Sequence, residues 1–210
     1  MSSQSNSASV EAEIPNDQRT KNRLELVLVS HNIRVCSREA ICFTIASVRD
    51  ENETNTHSAP LFLLQETDKI VGSNLPMIER FNWITHQNNS FSTMLAPQNL
   101  PLVISEFKCE CEWASTYQIG PKLIVMSVYR LASKTDYLNF WKPLKNDLKR
   151  FNQLALPLII VGDFNARCGQ EVGDTYQDTN GKELLKLIDE CDLTMLNNFG
   201  EMTRMQSNER

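Results

Sequence analysis

The chain has 210 residues, 41% of them hydrophobic and 22% charged, and carries a net charge of −5. That is an ordinary composition for one soluble globular domain, and its acidity excludes a protein that holds nucleic acid through an overall basic surface. No run approaches the roughly 18 apolar residues of a membrane helix, and six cysteines without a CxxC pair or a signal peptide read as reduced thiols of an intracellular protein, nuclear or cytoplasmic.

The first 23 residues are rich in Ser, Asn, Gln and Glu and nearly free of bulky apolar side chains, so composition predicts a disordered tail there. Its Glu11, Glu13 and Asp17 speak against a mitochondrial transit peptide. Residues 24–34 (LELVLVSHNIR) read as a buried strand, and 37–50 as a helix that turns Ala40, Ile41, Ile45 and Val48 to the core, with Ser37 as its cap. A polar loop leads to a second buried strand over 61–67 (LFLLQET), and 71–81 has room for a short helix. Between 82 and 130 the pattern changes to short alternating runs separated by turn residues, which predicts antiparallel strands.

Helical period returns over 134–153, where Tyr137, Phe140, Trp141, Leu144, Leu148 and Phe151 share a face and Lys142, Lys145, Lys149 and Arg150 lie mostly opposite. That basic side reads as a solvated face. Pro143 costs stability inside this helix unless it falls in the first turn or at a kink. The strand LPLIIVGD follows, then a glycine-bearing loop, a helix near 182–191 and a last strand over 193–197. This order predicts an α+β (α/β) fold of two mixed β-sheets packed face to face with helices outside, a four-layer αββα sandwich.

Three of these apolar strands end alike. Asn32 follows the first, Glu66 the second, and the pair Asp163 and Asn165 the third. Along an extended chain residues two apart point the same way, so Asp163 and Asn165 share a side. Gly162 leaves room for a close approach to the backbone. A carboxylate at the end of an apolar strand is costly unless a cation or donor meets it. In α/β sheets ligands gather beyond the carboxyl ends of strands. Oxygen-only donors with one or two carboxylates are what Mg²⁺ takes, commonly with phosphate as its partner.

The order of Asn32, LLQET around Glu66, a strand ending at Tyr129 and then GDFNA resembles the endonuclease/exonuclease/phosphatase superfamily, which includes deoxyribonuclease I and the abasic-site endonucleases. IVMSVYR (124–130) and TNGKELLKLIDECDLTMLN (179–197) are most similar to its non-LTR retrotransposon endonuclease branch. The resemblance covers residues 24–210. It implies a Mg²⁺-dependent hydrolase of phosphodiesters, with Mn²⁺ as a substitute ion and DNA as substrate, and neither a membrane nor a protein partner enters. By the same resemblance Glu66 and Asn32 bind the metal, Tyr129 and Asn165 bind the phosphate, and Asp163 and Asn165 serve the attacking water. Asp163 orients or deprotonates that water or protonates the leaving group, and Thr203 lies near the substrate.

One departure is large. The superfamily closes its site with a Ser-Asp-His element on a late strand, and no Ser-Asp-His occurs in this sequence. The expectation is therefore a domain over 24–210 that lacks its C-terminal strands and that element, and is impaired or inactive as a nuclease and poorly soluble. A non-catalytic remnant and a phosphomonoesterase acting on a lipid or nucleotide are the alternatives. The three histidines read as structural: His31 points away from Asn32, His57 falls in a polar loop and His86 at a turn. Cys109 and Cys111 would share a strand face, but no further ligands stand at a zinc spacing.

Overall fold

The apolar runs become the inner strands of two sheets. The computed structural model describes residues 6–11, 24–33, 38–52, 58–67, 75–86, 89–131 and 138–196. Strands β2 (Glu25–Asn32) and β3 (Ser58–Gln65) are parallel neighbours, with Leu28 opposite Leu61 and Asn32 opposite Gln65. Parallel strands need a crossover, and α1 (Arg38–Asn52) lies within it. Strands β4 (Phe81–His86) and β5 (Asn89–Pro97) form an antiparallel pair, and β5 runs antiparallel to β3. With β1 (Asn6–Glu11) on the other side, the first sheet has the order β1-β2-β3-β5-β4.

The second sheet has the order β6-β7-β8-β9. Its members are β6 (Ile104–Phe107), β7 (Ala114–Ile119), β8 (Leu123–Tyr129) and β9 (Leu158–Asp163). The first two pairings are antiparallel and β8–β9 is parallel, joined through α2 (Trp141–Asn152). A third helix, α3 (Thr179–Glu190), follows a single 3₁₀ turn over Gly169–Val172.

Side-chain alternation sorts the core into three layers of contact. Leu26, Leu28, Leu61, Leu63 and Met94 of the first sheet meet Tyr117, Ile119, Leu123 and Val125 of the second. On the outer side of the first sheet, Val27, Val29, Phe62 and Leu64 pack on Ile41, Ile45 and Val48 of α1. Outside the second, Ile124, Met126 and Val128 pack on Trp141, Leu144, Leu148 and Phe151 of α2 and on Leu187 of α3. Helix, sheet, sheet and helices make the four-layer sandwich that the sequence predicts. The face Ile41, Ile45 and Val48 of α1 and the face Phe140 to Phe151 of α2 are the ones the periodicity marks.

Several local expectations are corrected. Residues 6–11 are not a tail but a strand, antiparallel to β2 with Asn6 opposite Ser30. The edge of β2 carries backbone groups that need partners, and pairing supplies them whatever the side chains. The remainder of 1–23 lies outside the described residues. No helix occupies 75–80, and residues 71–74 are not among those described. Residues 193–196 form no strand; residue 197 is not described. Pro143 falls in the first turn of α2, where a backbone N–H has no intrahelical acceptor, so the ring displaces no hydrogen bond there.

Asp147 of α2 is buried, and its carboxylate accepts from the backbone N–H groups of Glu110 and Cys111 and from Arg150. Burial pushes this carboxyl upward, against the pull of those donors. It fastens the bend before β7 to the helix layer.

Candidate metal and phosphate site

Along the facing sides of the two sheets the side chains change character at one end. On β2 the inward row runs Leu26, Leu28, then Ser30 and Asn32. On β3 it runs Leu61, Leu63, then Gln65. On β8 it runs Leu123, Val125, then Ser127 and Tyr129, and on β9 it ends at Asp163. The polar ends bond to one another across the sandwich. Gln65 Nε2 donates to Ser127 Oγ at 3.1 Å and to Ser30 Oγ at 3.2 Å, and Ser92 Oγ donates to Ser127 Oγ. Gln65, Ser92 and Ser127 are all buried, so this is a satisfied polar layer beneath the strand ends.

Above that layer the predicted residues meet. Asn32 Nδ2 donates to Glu66 Oε1 at 2.7 Å and to Asp163 Oδ2 at 3.0 Å. Glu66 belongs to the first sheet's loop and Asp163 to the end of the second sheet, 97 positions later in the chain. One amide thus joins two carboxylates from opposite sheets. Glu66 sits at φ 61°, in the left-handed region that non-glycine residues seldom enter. Such backbone costs about 1–3 kcal/mol and is concentrated at functional sites.

The GDFNA turn is fixed by its own contacts and by Arg130. Asp163 Oδ1 accepts from Asn165 N at 2.9 Å, and Asn165, at φ 44°, sends Nδ2 to Arg130 O at 2.6 Å. Arg130 N donates to Asp163 O, and Nη1 donates to the carbonyls of Phe164 and Asn165. The guanidinium is 1% exposed and faces the rings of Phe140 and Trp141 at 5.8 and 6.0 Å. Burial pulls its pKa down, while Asp178 and Asp163 act the other way. Its Nε and Nη2 have no hydrogen-bond partner among the described protein atoms. Gly162 is explained by the sheet rather than by a ligand. A Cβ there would stand 1.9 Å from Val128 O, so the close approach belongs to β8.

Tyr129 is buried beside Asp163 in the β8–β9 register, its ring centroid 6.2 Å from that of Phe91. Thr203 lies outside the described residues. His31 follows the outward parity of β2 and is half-buried, which lowers its pKa; His86 bonds through Nε2 to Phe107 O at 2.8 Å. Neither is bonded to the cluster in these contacts, and His57 is not among the described residues. Five described cysteines, including Cys109 and Cys111, are free thiols.

Sequence reasoning brought Asn32, Glu66, Asp163 and Asn165 to one place. It missed the Ser30, Gln65, Ser92 and Ser127 layer and the Arg130 clasp. Inward parity of the serines within otherwise apolar strands was the available signal for the layer. For Arg130 the signal was a lone charge straight after a largely apolar strand.

Among the described residues no group of three or more His, Cys, Asp or Glu side chains gathers. The cluster instead offers two carboxylates and an amide. Two like charges drawn to one donor repel, and a divalent cation among them would relieve that repulsion. The donors are all oxygen or amide, the kind of set that a hard ion such as Mg²⁺ or Mn²⁺ accepts. The residues present therefore fit the ion.

Comparisons with known proteins agree with this architecture. Residues 123–210, from β8 onward, match the family model described as endonuclease-reverse transcriptase. No curated protein matches the chain. A solved structure, the endonuclease domain of TRAS1, a telomere-specific non-LTR retrotransposon, is similar with a TM-score of 0.57 and 18% identity. That similarity covers 81% of this chain and 73% of the other, and at this identity it speaks for the fold. Residues 123–210, with their GDFN turn, thus match an endonuclease-reverse transcriptase family model, and the two mixed sheets between helix layers give the chain a fold similar to that of the TRAS1 endonuclease domain.

Proposed function

We propose that this chain carries the metal- and phosphate-binding part of a DNA endonuclease of retrotransposon type, over a domain spanning residues 24–210 to which strand β1 adds an edge. The observation that carries the reading is the Asn32 amide, which gathers Glu66 and Asp163 from two different sheets. Retrotransposon-type nucleases act on phosphodiesters in DNA, and the matched family and the solved endonuclease domain support that substrate class.

Glu66 and Asn32 would hold Mg²⁺, Asn32 through its carbonyl oxygen with the amide turned over from the orientation that donates to both carboxylates, and the ion when bound polarises a phosphoryl oxygen. The chain's own residues do the rest. Asn165 has committed one Nδ2 hydrogen to Arg130 O, and the second is the one we assign to a phosphate oxygen. Tyr129, next to Asp163 in register, is assigned to the same phosphate. Asp163 is oriented by donors on both of its oxygens, from Asn32 and from Asn165 N, and is placed to hold the attacking water. Among the described residues His31 follows the outward parity of β2 and His86 bonds to Phe107 O, so neither is placed as a base at this cluster. Losing a general base costs about 10²–10⁴ in rate, so hydrolysis by these 210 residues is expected near background.

Chemical rescue tests this reading. Nicking of supercoiled plasmid is followed with Mg²⁺ while imidazole is added as a surrogate base. Nicking should rise with imidazole in the wild type and stay at the EDTA level in Glu66→Gln and Asp163→Ala. A rise that survives in both variants, or no rise in the wild type, contradicts the assignment. Fast nicking without imidazole, abolished by Asp163→Ala, would show that another residue of this chain is the base.

A further inference from the structure

Beside the cluster, on the same end of the sandwich, three aromatic rings come together. Phe91 and Trp113 are stacked, with centroids 4.5 Å apart and planes at 27°, and Tyr129 lies 6.2 Å from Phe91. They come from three strands or strand approaches on two sheets: Phe91 from β5, Trp113 from the bend before β7, and Tyr129 from the end of β8. Phe91 and Trp113 are each half-buried, whereas Tyr129 is covered.

Both ends of this group are tied to the candidate site through the backbone. Phe91 O accepts from the N–H of Thr67, the residue after Glu66. Trp113 O accepts from Tyr129 N, and Tyr129 is the register partner of Asp163. The rings are therefore one residue removed from the carboxylates on each sheet. Trp113 also packs on the core outside the second sheet, and Phe91 stands next to Ser92 of the polar layer, so the stack lies at the rim where the apolar interior gives way to Gln65 and Ser127. A ligand held by its phosphate at Asn165 would bring whatever is attached to that phosphate over this group.

We infer that the stacked Phe91–Trp113 pair is a platform for a nucleobase next to the bound phosphodiester, so that the substrate is a nucleic-acid strand rather than a phosphate carried on a lipid or sugar. This rests on the phosphodiester reading above and narrows it. Every base presents a π-face, so such a platform selects for the presence of a base without selecting its sequence. The chain's net negative charge leaves little long-range attraction for a strand, and stacking compensates locally.

The test compares two fluorescein-labelled 8-mers, oligothymidylate and an abasic tetrahydrofuran strand with the same phosphates, by fluorescence anisotropy with Mg²⁺. Stacking of one base is worth about 5–150-fold in affinity, and the wild type should favour the thymidylate by that margin. Trp113→Leu and Phe91→Leu should bring the ratio near one, while Trp113→Phe keeps most of it. The Mg²⁺-induced rise in melting temperature should be unchanged in Trp113→Phe and Phe91→Leu, which also reports that they fold. Equal affinity of the wild type for both strands, or a preference that survives Trp113→Leu and Phe91→Leu, overturns the platform. If the abasic strand still binds in a Mg²⁺-dependent way, the phosphodiester reading stands without it. If neither strand binds and Mg²⁺ has no effect, both fail.

Discussion

At the scale of single residues, Asn32 and Arg130 organise the site in different ways. Asn32 lies between two carboxylates and joins Glu66 to Asp163. Arg130 makes its described side-chain hydrogen bonds to backbone carbonyls rather than to a carboxylate. It places a buried charge behind the turn and fixes Phe164 and Asn165 through their carbonyls. Removing it leaves those carbonyls without donors and a cavity between Phe140 and Trp141. Arg130→Ala should therefore lower the unfolding free energy by on the order of 3 kcal/mol, read from urea midpoints, and Arg130→Lys should recover part of it. Asn32, Glu66, Asp163 and Asn165 were legible because polar residues ending apolar strands are conspicuous. Arg130 was not, because in sequence a basic residue after a strand looks like solvated surface. Only the packing of α2 over β8 shows that it is enclosed.

At the scale of elements, parallel pairing decides where the strand ends fall. β2 and β3 are parallel, as are β8 and β9, and the bond from Asn32 to Asp163 brings the carboxyl ends of both pairs to one end of the sandwich. The register of the second pair depends on Gly162. Its φ of 139° and the position of Val128 O, which an added Cβ would strike, leave no space for a side chain. Gly162→Ala should displace β9 and with it Asp163, destabilising the domain by more than about 2 kcal/mol, again read from the denaturation midpoint. If Gly162→Ala melts like the wild type, the register drawn here is wrong. The short alternating runs between 82 and 130 were readable as strands because turn residues separate them. Strand β1 was not, since its pairing is carried by backbone, and Asn-Ser-Ala-Ser-Val-Glu has little apolar content to announce it. The strand foreseen over 193–197 is not formed over 193–196 for the opposite reason: apolar content is present, but Leu193 joins the core outside the second sheet from an irregular segment while Leu196 is exposed.

At the scale of the whole molecule, two sheets and three helices bury thiols deeply enough to change how stability depends on pH. Burial pushes Cys109 up to about 11 and Cys111 up to about 12, against an ordinary 9.0. Between pH 9 and 11 the folded chain keeps protons that the unfolded chain has released, so stability is present below pH 9 and falls as pH rises through the folded values. Cys111→Ala should make that alkaline decline shallower, in melting curves taken from pH 8 to 11. At neutral pH the exposed Cys42 should react with iodoacetamide while Cys109 and Cys111 stay protected until unfolding.

The same architecture makes a claim about metal that a single measurement reaches directly. An ion that binds only the folded chain raises its stability, by about 1.4 kcal/mol at ten times the dissociation constant. For a domain of this size that is a rise of about 3–5 °C in melting temperature. Melting temperature measured against Mg²⁺ from zero to 10 mM should rise in the wild type and stay flat in Glu66→Gln. A shift of the same size in Glu66→Gln, or no shift in the wild type, would contradict a metal site built on Asn32 and Glu66.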